Sequence, residues 1–339
     1  MPHLPAVKRF VSNSGARIYR IPCEAFPGLS ARVYLVLDAG PPTLVDAGSG
    51  EGESTAQVLR GLDTVRREFD EPVRLADVRR ILITHAHVDH FGGLWDLARR
   101  TSAEVGAHAL DRRLIADYEE RAVVANHALS CFLKRAGVEP ERQTEVVRAF
   151  GYTRDRVRSV PVDFTLNDGA RLDGLRFVHT PGHSPGHVCI AVGDVLLAGD
   201  HVLARTVPQQ WPESTAAYTG LGHYLESLEK VRRLDRVEVA LGGHEPPVRD
   251  LSKRIDEIHQ THRRRLDRLL HVLAKARHPL TINEITERMY SRQEGFYAML
   301  ALTDVGARVE YLDQRGRLAI PNLDETEGDA FPVYRYRPA

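Results

Sequence analysis

The spacing of apolar and polar positions changes several times along this chain, and each change predicts a different element. Arg17-Ile18-Tyr19-Arg20-Ile21 alternates, and Ala31-Arg32-Val33-Tyr34-Leu35-Val36-Leu37 is rich in β-formers, so both read as strands. Pro41-Pro42 turns the chain into Thr43-Leu44-Val45, a third strand that ends at Asp46-Ala47-Gly48. Residues 53–69 switch to helical spacing through Val58, Leu62 and Val65. Ile81-Leu82-Ile83 reads as a buried strand, residues 94–98 as a helix and 104–108 as another strand. From 109 to about 150, amphipathic helical stretches run on with few turn signals until Gly137 and Pro140. That block predicts a helical insertion placed to cover a site. Strand-like runs return at 158–162, 175–179, 188–192, 195–198 and 237–241. Strands interleaved with helices over this length predict a layered α/β domain.

Near residue 250 the pattern shifts again. Leu251, Ile255, Ile258, His262, Leu266, Leu269 and Leu273 step by three or four and predict one long amphipathic helix. Thr281-Ile282-Asn283-Glu284 has the form of a capping box that opens a second helix. Residues 296–314 read as a third helix, and extended pieces at 317–320 and 333–336 close the chain. The division expected is a catalytic domain over 1–252 and a small winged-helix-like domain over 253–339.

Composition narrows the classes of function. The 339 residues carry 46 Lys plus Arg against 46 Asp plus Glu, so the net charge is zero. Such balance gives no global footprint for nucleic acid or an anionic membrane. The three cysteines are far apart and odd in number, which argues against a disulfide framework and for a reducing compartment. Cys189 lies inside the apolar run 188–192 and is expected to be a small buried hydrophobe. No apolar leader core and no stretch of about 18 apolar residues is visible, so the expectation is a soluble cytoplasmic protein.

The candidate chemistry sits where strands end. Thr84-His85-Ala86-His87-Val88-Asp89-His90-Phe91-Gly92-Gly93 follows the apolar run at 81–83 and crowds three imidazoles and a carboxylate into six residues. Imidazole and carboxylate are ligands that borderline metals accept at about 2.0–2.2 Å. Thr180-Pro181-Gly182-His183-Ser184-Pro185-Gly186-His187 follows another strand, and Gly199-Asp200-His201 and Gly242-Gly243-His244 follow two more. A lone histidine in such a turn is more often structural. Four strand ends of this kind together supply six or seven ligands, enough for two metals.

The set HxHxDH, PGHSPGH, GD and GH, in this order over roughly residues 15–250, resembles the metallo-β-lactamase-fold hydrolases. The nearest likeness is to their glyoxalase-II-like branch with a winged-helix tail. The resemblance implies a four-layer αββα sandwich with a binuclear site, usually zinc, at one edge. Residue by residue, His85, His87 and His183 are then expected to hold one metal, and Asp89, His90 and His244 the other. Asp200 is expected to bridge both, together with a water or hydroxide. Asp46, Thr84 and His187 are expected to orient ligands by hydrogen bonding. Position 87 is His where the flavodiiron relatives carry Glu, which argues against an oxygen-reducing iron site. Iron or manganese occupancy stays open, because ligand type selects weakly among first-row metals.

The activity implied is attack of a metal-bridging hydroxide on an acyl carbon, with Asp89 orienting the hydroxide and moving a proton. A thioester or related ester is the expected small-molecule substrate. The C-terminal part departs from the glutathione-binding domain of glyoxalase II, so a glutathione conjugate is not implied. A single-stranded-RNA endonuclease is the alternative, suggested by the tail and by Arg263-Arg264-Arg265, although a solvated helix face explains that run better. A lactonase or β-lactamase comes third. Trp211 and Tyr218 either line the substrate pocket beside the insertion or only pack their loop. The tail is expected to pack on the catalytic domain or to form a homodimer interface rather than to read DNA.

Overall fold

The computed structural model describes residues 4–153, 155–291 and 293–339. Seven strands form one sheet in chain order: β1 (Lys8–Val11), β2 (Arg17–Phe26), β3 (Leu29–Leu37), β4 (Thr43–Val45), β5 (Arg80–Leu82), β6 (Glu104–Ala107) and β7 (Phe164–Thr165). Pairing is antiparallel from β1 to β4 and parallel from β4 to β7. A second sheet contains β8 (Arg171–Leu172), β9 (Leu175–His179), β10 (Val188–Val192), β11 (Val195–Gly199) and β12 (Val239–Gly242), in the order β12-β11-β10-β9-β8. Only its β11–β12 pair is parallel.

Alternation along the strands makes the layers. Ile18, Tyr34 and Val36 face Val188, Ile190, Leu197 and Leu241 in the core between the sheets. Their neighbours Tyr19, Ile21, Val33 and Leu35 point the other way, against Val58, Leu62 and Val65 of α1 (Ser54–Glu68). One period-two sequence therefore feeds two cores at once. The short helices α2 (Val88–Phe91) and α3 (Leu94–Ala98) lead to the insertion, made of α4 (Ala109–Ala116), α5 (Tyr118–Arg135) and α6 (Pro140–Phe150). On the outer face of the second sheet, Cys189, Leu196 and Ala240 meet α7 (Leu221–Arg232) and the start of α8 (Leu251–Ala274). The result is the αββα sandwich, and Cys189 is buried on the second sheet against its outer helices.

After α8 come α9 (Ile282–Met289), α10 (Gly295–Asp313) and the antiparallel ribbon β13 (Leu318–Ala319) with β14 (Arg337–Pro338). The capping box forms, with Glu284 N–H on Thr281 Oγ1 and Thr281 N–H on Glu284 Oε2. This C-terminal helical region does not close its own core. Leu129, Phe132, Leu133 and Val146 of the insertion share one apolar cluster with Leu269, Leu273, Ile285, Leu302 and Val305. α8 belongs to both units, with Ile255 and Ile258 in the sandwich and Leu269 and Leu273 in the helical cluster.

Two strand expectations are corrected. Residues 158–162 bury Val160 and Val162 as their alternation predicts, but they join no sheet. Val160 N–H donates to Ile115 O of α4 instead, and ladder pairing starts only at Phe164. At the other end, Tyr336 alone of 333–336 makes a bridge, to Leu280, and the ladder lies at Arg337–Pro338.

Candidate metal centre

The parallel pairs β4–β5 and β11–β12 end at one edge of the sandwich, so the loops after them meet there. Asp46 follows β4, the histidine-rich segment follows β5, Asp200 follows β11 and His244 follows β12. The 180–187 loop joins β9 to β10 at the same edge, tied by Val188 N–H to Thr84 O. His87 caps the single turn α2, whose His90 N–H and Phe91 N–H both donate to His87 O. That turn swings His90 back toward the strand ends. Glycine is required close by, since a Cβ on Gly243 would stand 2.4 Å from Asp200 Oδ1 and 2.5 Å from His90 Cε1.

Seven of the expected side chains converge in three overlapping groups. His85, His87 and His183 form one, His85, His90 and Asp200 a second, and Asp89, His90 and His244 a third, each with ligand atoms within 4.8 Å of one another. Asp200 lies between the outer two groups: its Oδ2 is 3.1 Å from His244 Nε2 and 3.8 Å from His183 Nε2. Asp89 Oδ2 is 3.2 Å from His244 Nε2.

The surrounding groups fix which nitrogen of each ring faces inward. His90 Nδ1–H donates to Asp46 Oδ2 at 2.8 Å, His244 Nδ1–H to Ser30 O at 2.8 Å and His183 Nδ1–H to Gln209 O at 2.8 Å. All three therefore present the lone pair of Nε2. His90 Nε2 and His244 Nε2 face each other at 3.4 Å, and His85 Nε2 faces His87 Nδ1 at 3.1 Å. His183 Nε2 and Asp200 Oδ1 are buried with no hydrogen-bond partner. Opposed lone pairs and bare acceptors are costly unless a cation sits among them. The donor set fits a divalent metal site.

Electrostatics agree with that reading. Burial pushes His85 well below the usual imidazole range and brings His87 down to about 3, and it also lowers His183, so these rings are neutral as ligation requires. On His90, burial opposes charge, but Asp200, Asp46 and Asp89 outweigh it and raise the ring to about 10. His244 is likewise raised, by Asp200 and Asp89 against burial. Three carboxylates thus call for positive charge here, and without a metal a proton supplies it.

Asp46, Thr84 and His187 stand behind the cluster. Asp46 Oδ1 accepts Thr84 N–H at 2.8 Å and its Oδ2 holds His90, from a backbone at φ +64°. His187 engages both nitrogens, Nδ1 with Thr180 Oγ1 at 2.7 Å and Nε2 with Asp200 N–H at 3.0 Å, so it offers none to an ion. Of the expected pocket pair, Trp211 packs on Phe150 of the insertion with ring centroids 5.5 Å apart, while Tyr218 is 48% exposed.

Three contributors carry no sequence signal. Buried Asp111 accepts Ala86 N–H and Gly186 N–H, both at 2.8 Å, and so clamps the two histidine loops together. Gln209 holds His183 by its carbonyl and donates from Nε2 to Leu300 O and Thr303 Oγ1 of α10. Ser30 contributes only a carbonyl. None of the three is chemically distinctive in a string of letters, because each acts through backbone contacts set by the fold.

A sandwich with this His/Asp edge defines a metal-dependent hydrolase fold. Residues 27–244 match the metallo-beta-lactamase superfamily, and the chain belongs to it. It is 23% identical to the probable metallo-hydrolase YqjP of Bacillus subtilis, over 83% of this chain and 87% of that one. It is also 28% identical to the acyl-coenzyme A thioesterase MBLAC2 of Bos taurus, over 64% and 74%. Among solved structures, a metallo-beta-lactamase family protein from Thermus thermophilus superposes with a TM-score of 0.75 at 27% identity, covering 95% of this chain and 98% of that one. That match runs through the C-terminal helices as well as the sandwich. Among the described residues, no helix is long and apolar enough to cross a membrane.

Proposed function

We propose that the protein is a binuclear-zinc hydrolase of thioesters or related acyl esters. One observation carries the reading: seven His and Asp side chains converge with Asp200 placed between two ligand groups, His85/His87/His183 and Asp89/His90/His244. Two divalent ions at such a site bring the pKa of water from about 15.7 toward 7 and polarise an acyl carbonyl. The chain's own groups do the rest. Asp46, Ser30 O and Gln209 O hold the Nδ1 protons of His90, His244 and His183, which keeps each Nε2 aimed inward. His187 steadies the Asp200 backbone. Asp89 is 16% exposed at its side chain, more open than Asp200, and this openness supports its role in taking a proton at the reacting centre.

The substrate class rests on the likeness to the acyl-coenzyme A thioesterase. Trp211 fastens the 205–219 loop to the insertion, and exposed Tyr218 on the same loop is left to meet an acyl chain. The test is a hydrolysis screen of acyl-coenzyme A, acylglutathione, a lactone and single-stranded RNA, run with zinc, manganese and iron. Acyl-coenzyme A turnover highest with zinc is expected. RNA cleavage without thioester turnover would overturn the reading.

A further inference from the structure

Arg20 on β2 and Arg32 on β3 are 8% and 6% exposed and lie on the face of the first sheet that looks toward the second. The register pairs Arg20 with Tyr34 and Pro22 with Arg32, so the two arginines are diagonal neighbours. Such neighbours stand roughly 7–8 Å apart at the backbone, within reach of long side chains. Among the described residues, the Arg20 side chain has no hydrogen bond and no ion pair, and the Arg32 side chain donates only to Ala31 O. Both Nε atoms are sealed from solvent and unpartnered. Tyr34 between them commits its hydroxyl to Gly242 O at 2.6 Å. Burial, then the like charge of Arg20, push the Arg32 guanidinium below its ordinary value, and no carboxylate counts among the groups acting on it.

Two buried guanidinia without a counter-charge are an unstable pairing, because each pays desolvation and both repel. Fully buried Arg308, by contrast, has Asp304 as its partner. The site also adjoins the metal centre, since Ser30, two residues before Arg32, holds His244. We propose that Arg20 and Arg32 form a binding site for one small oxyanion of the sulfate or phosphate type, separate from the metal centre. The planar forks of two guanidinia suit a tetrahedral oxyanion, with the remaining η N–H groups as donors. The proposal does not depend on the substrate reading.

The test uses the metal-loaded full chain. Crystals soaked in selenate are expected to show an anomalous peak between the Arg20 and Arg32 guanidinia. In solution, millimolar sulfate is expected to raise the melting temperature by a few degrees over chloride at matched ionic strength. Arg20→Met and Arg32→Met are expected to abolish that rise and, by removing a buried charge, to melt at or above wild type in anion-free buffer. A selenate peak confined to the histidine cluster would overturn the proposal. So would a sulfate-dependent rise that survives in both variants, or variants that melt lower than wild type in anion-free buffer with the rise intact.

Discussion

Two buried clusters of histidine, aspartate and other polar groups among the described residues are built on opposite plans. At the sandwich edge, His85, His87, His90, His183 and His244 bring lone pairs face to face around Asp89 and Asp200. In the helical region, fully buried Arg308 meets Asp304 Oδ2 at 2.5 Å, Tyr290 donates to the same carboxylate at 3.0 Å, and His262 Nδ1 lies 3.5 Å from Arg308. The second cluster carries its own counter-charge in Asp304, and its unpartnered atoms, Arg308 Nε and His262 Nε2, belong to groups whose charge is already matched or absent. In the first, acceptors outnumber donors, so it is complete only with a cation. Burial and residue type do not separate a site from a structural network; the balance of donors and acceptors does.

The largest effects should come from breaking the first cluster. Asp200→Ala and His183→Ala are expected to lower hydrolysis by about a thousandfold or more and to lose bound metal, read by steady-state kinetics and metal analysis. An alanine variant with full activity and full metal content would place the site elsewhere. Breaking the second cluster should do the reverse. Arg308→Met takes from buried Asp304 its close counter-charge, leaving only the Tyr290 hydroxyl and Arg265 at 3.9 Å, and a loss of about 3 kcal/mol in unfolding free energy is expected with metal content unchanged per folded molecule. Denaturant titration beside metal analysis checks this, and metal loss from folded Arg308→Met would blur the distinction between the clusters.

Asp111 sharpens the comparison through pH. Burial raises its carboxyl to about 6 against the backbone N–H groups that favour the ion. A carboxyl raised in the folded state resists ionisation there, so its contribution to stability falls as pH rises from about 4 to about 6. The change over that window is about 3 kcal/mol. Asp111→Asn should remove that part of the stability–pH curve, and an unchanged slope would show that the two N–H donors hold the ion at no cost. The smallest effect is expected at His187. His187→Gln should weaken metal affinity by about 10–100-fold without abolishing binding, measured by competition with a chromogenic chelator.

Much of the site was legible because ligands must follow strands and sit among glycines, and both leave marks in a sequence. His85 through His90 announce themselves by type and crowding, and period-two alternation correctly separates the inner from the outer face of β2, β3, β10 and β11. What stayed hidden acts through the backbone or through tertiary choice. Gln209 works by a carbonyl and an amide, and Asp111 looks like any helix-entry acid. Alternation at 158–162 reported burial truthfully, but burial alone does not make a ladder when Ile115 O takes the hydrogen bond. The helical periods of α5 and α10 predict the helices without naming what they will face, and α10 is in fact buried on every side from Leu302 to Val309.

That last point matters while the chain is being made. Glu145 of the insertion receives Gly295 N–H across 150 residues, and the apolar faces of α5 and α6 are covered by helices from the same distant stretch. At synthesis rates of about 5–20 residues per second, the insertion waits roughly 8–30 s for its partners to emerge. Through that interval Leu129, Phe132, Leu133 and Val146 have no completed core to enter. The nascent chain is then most open to chaperone capture, and to association with its own copies, from the emergence of the insertion until its last helices arrive.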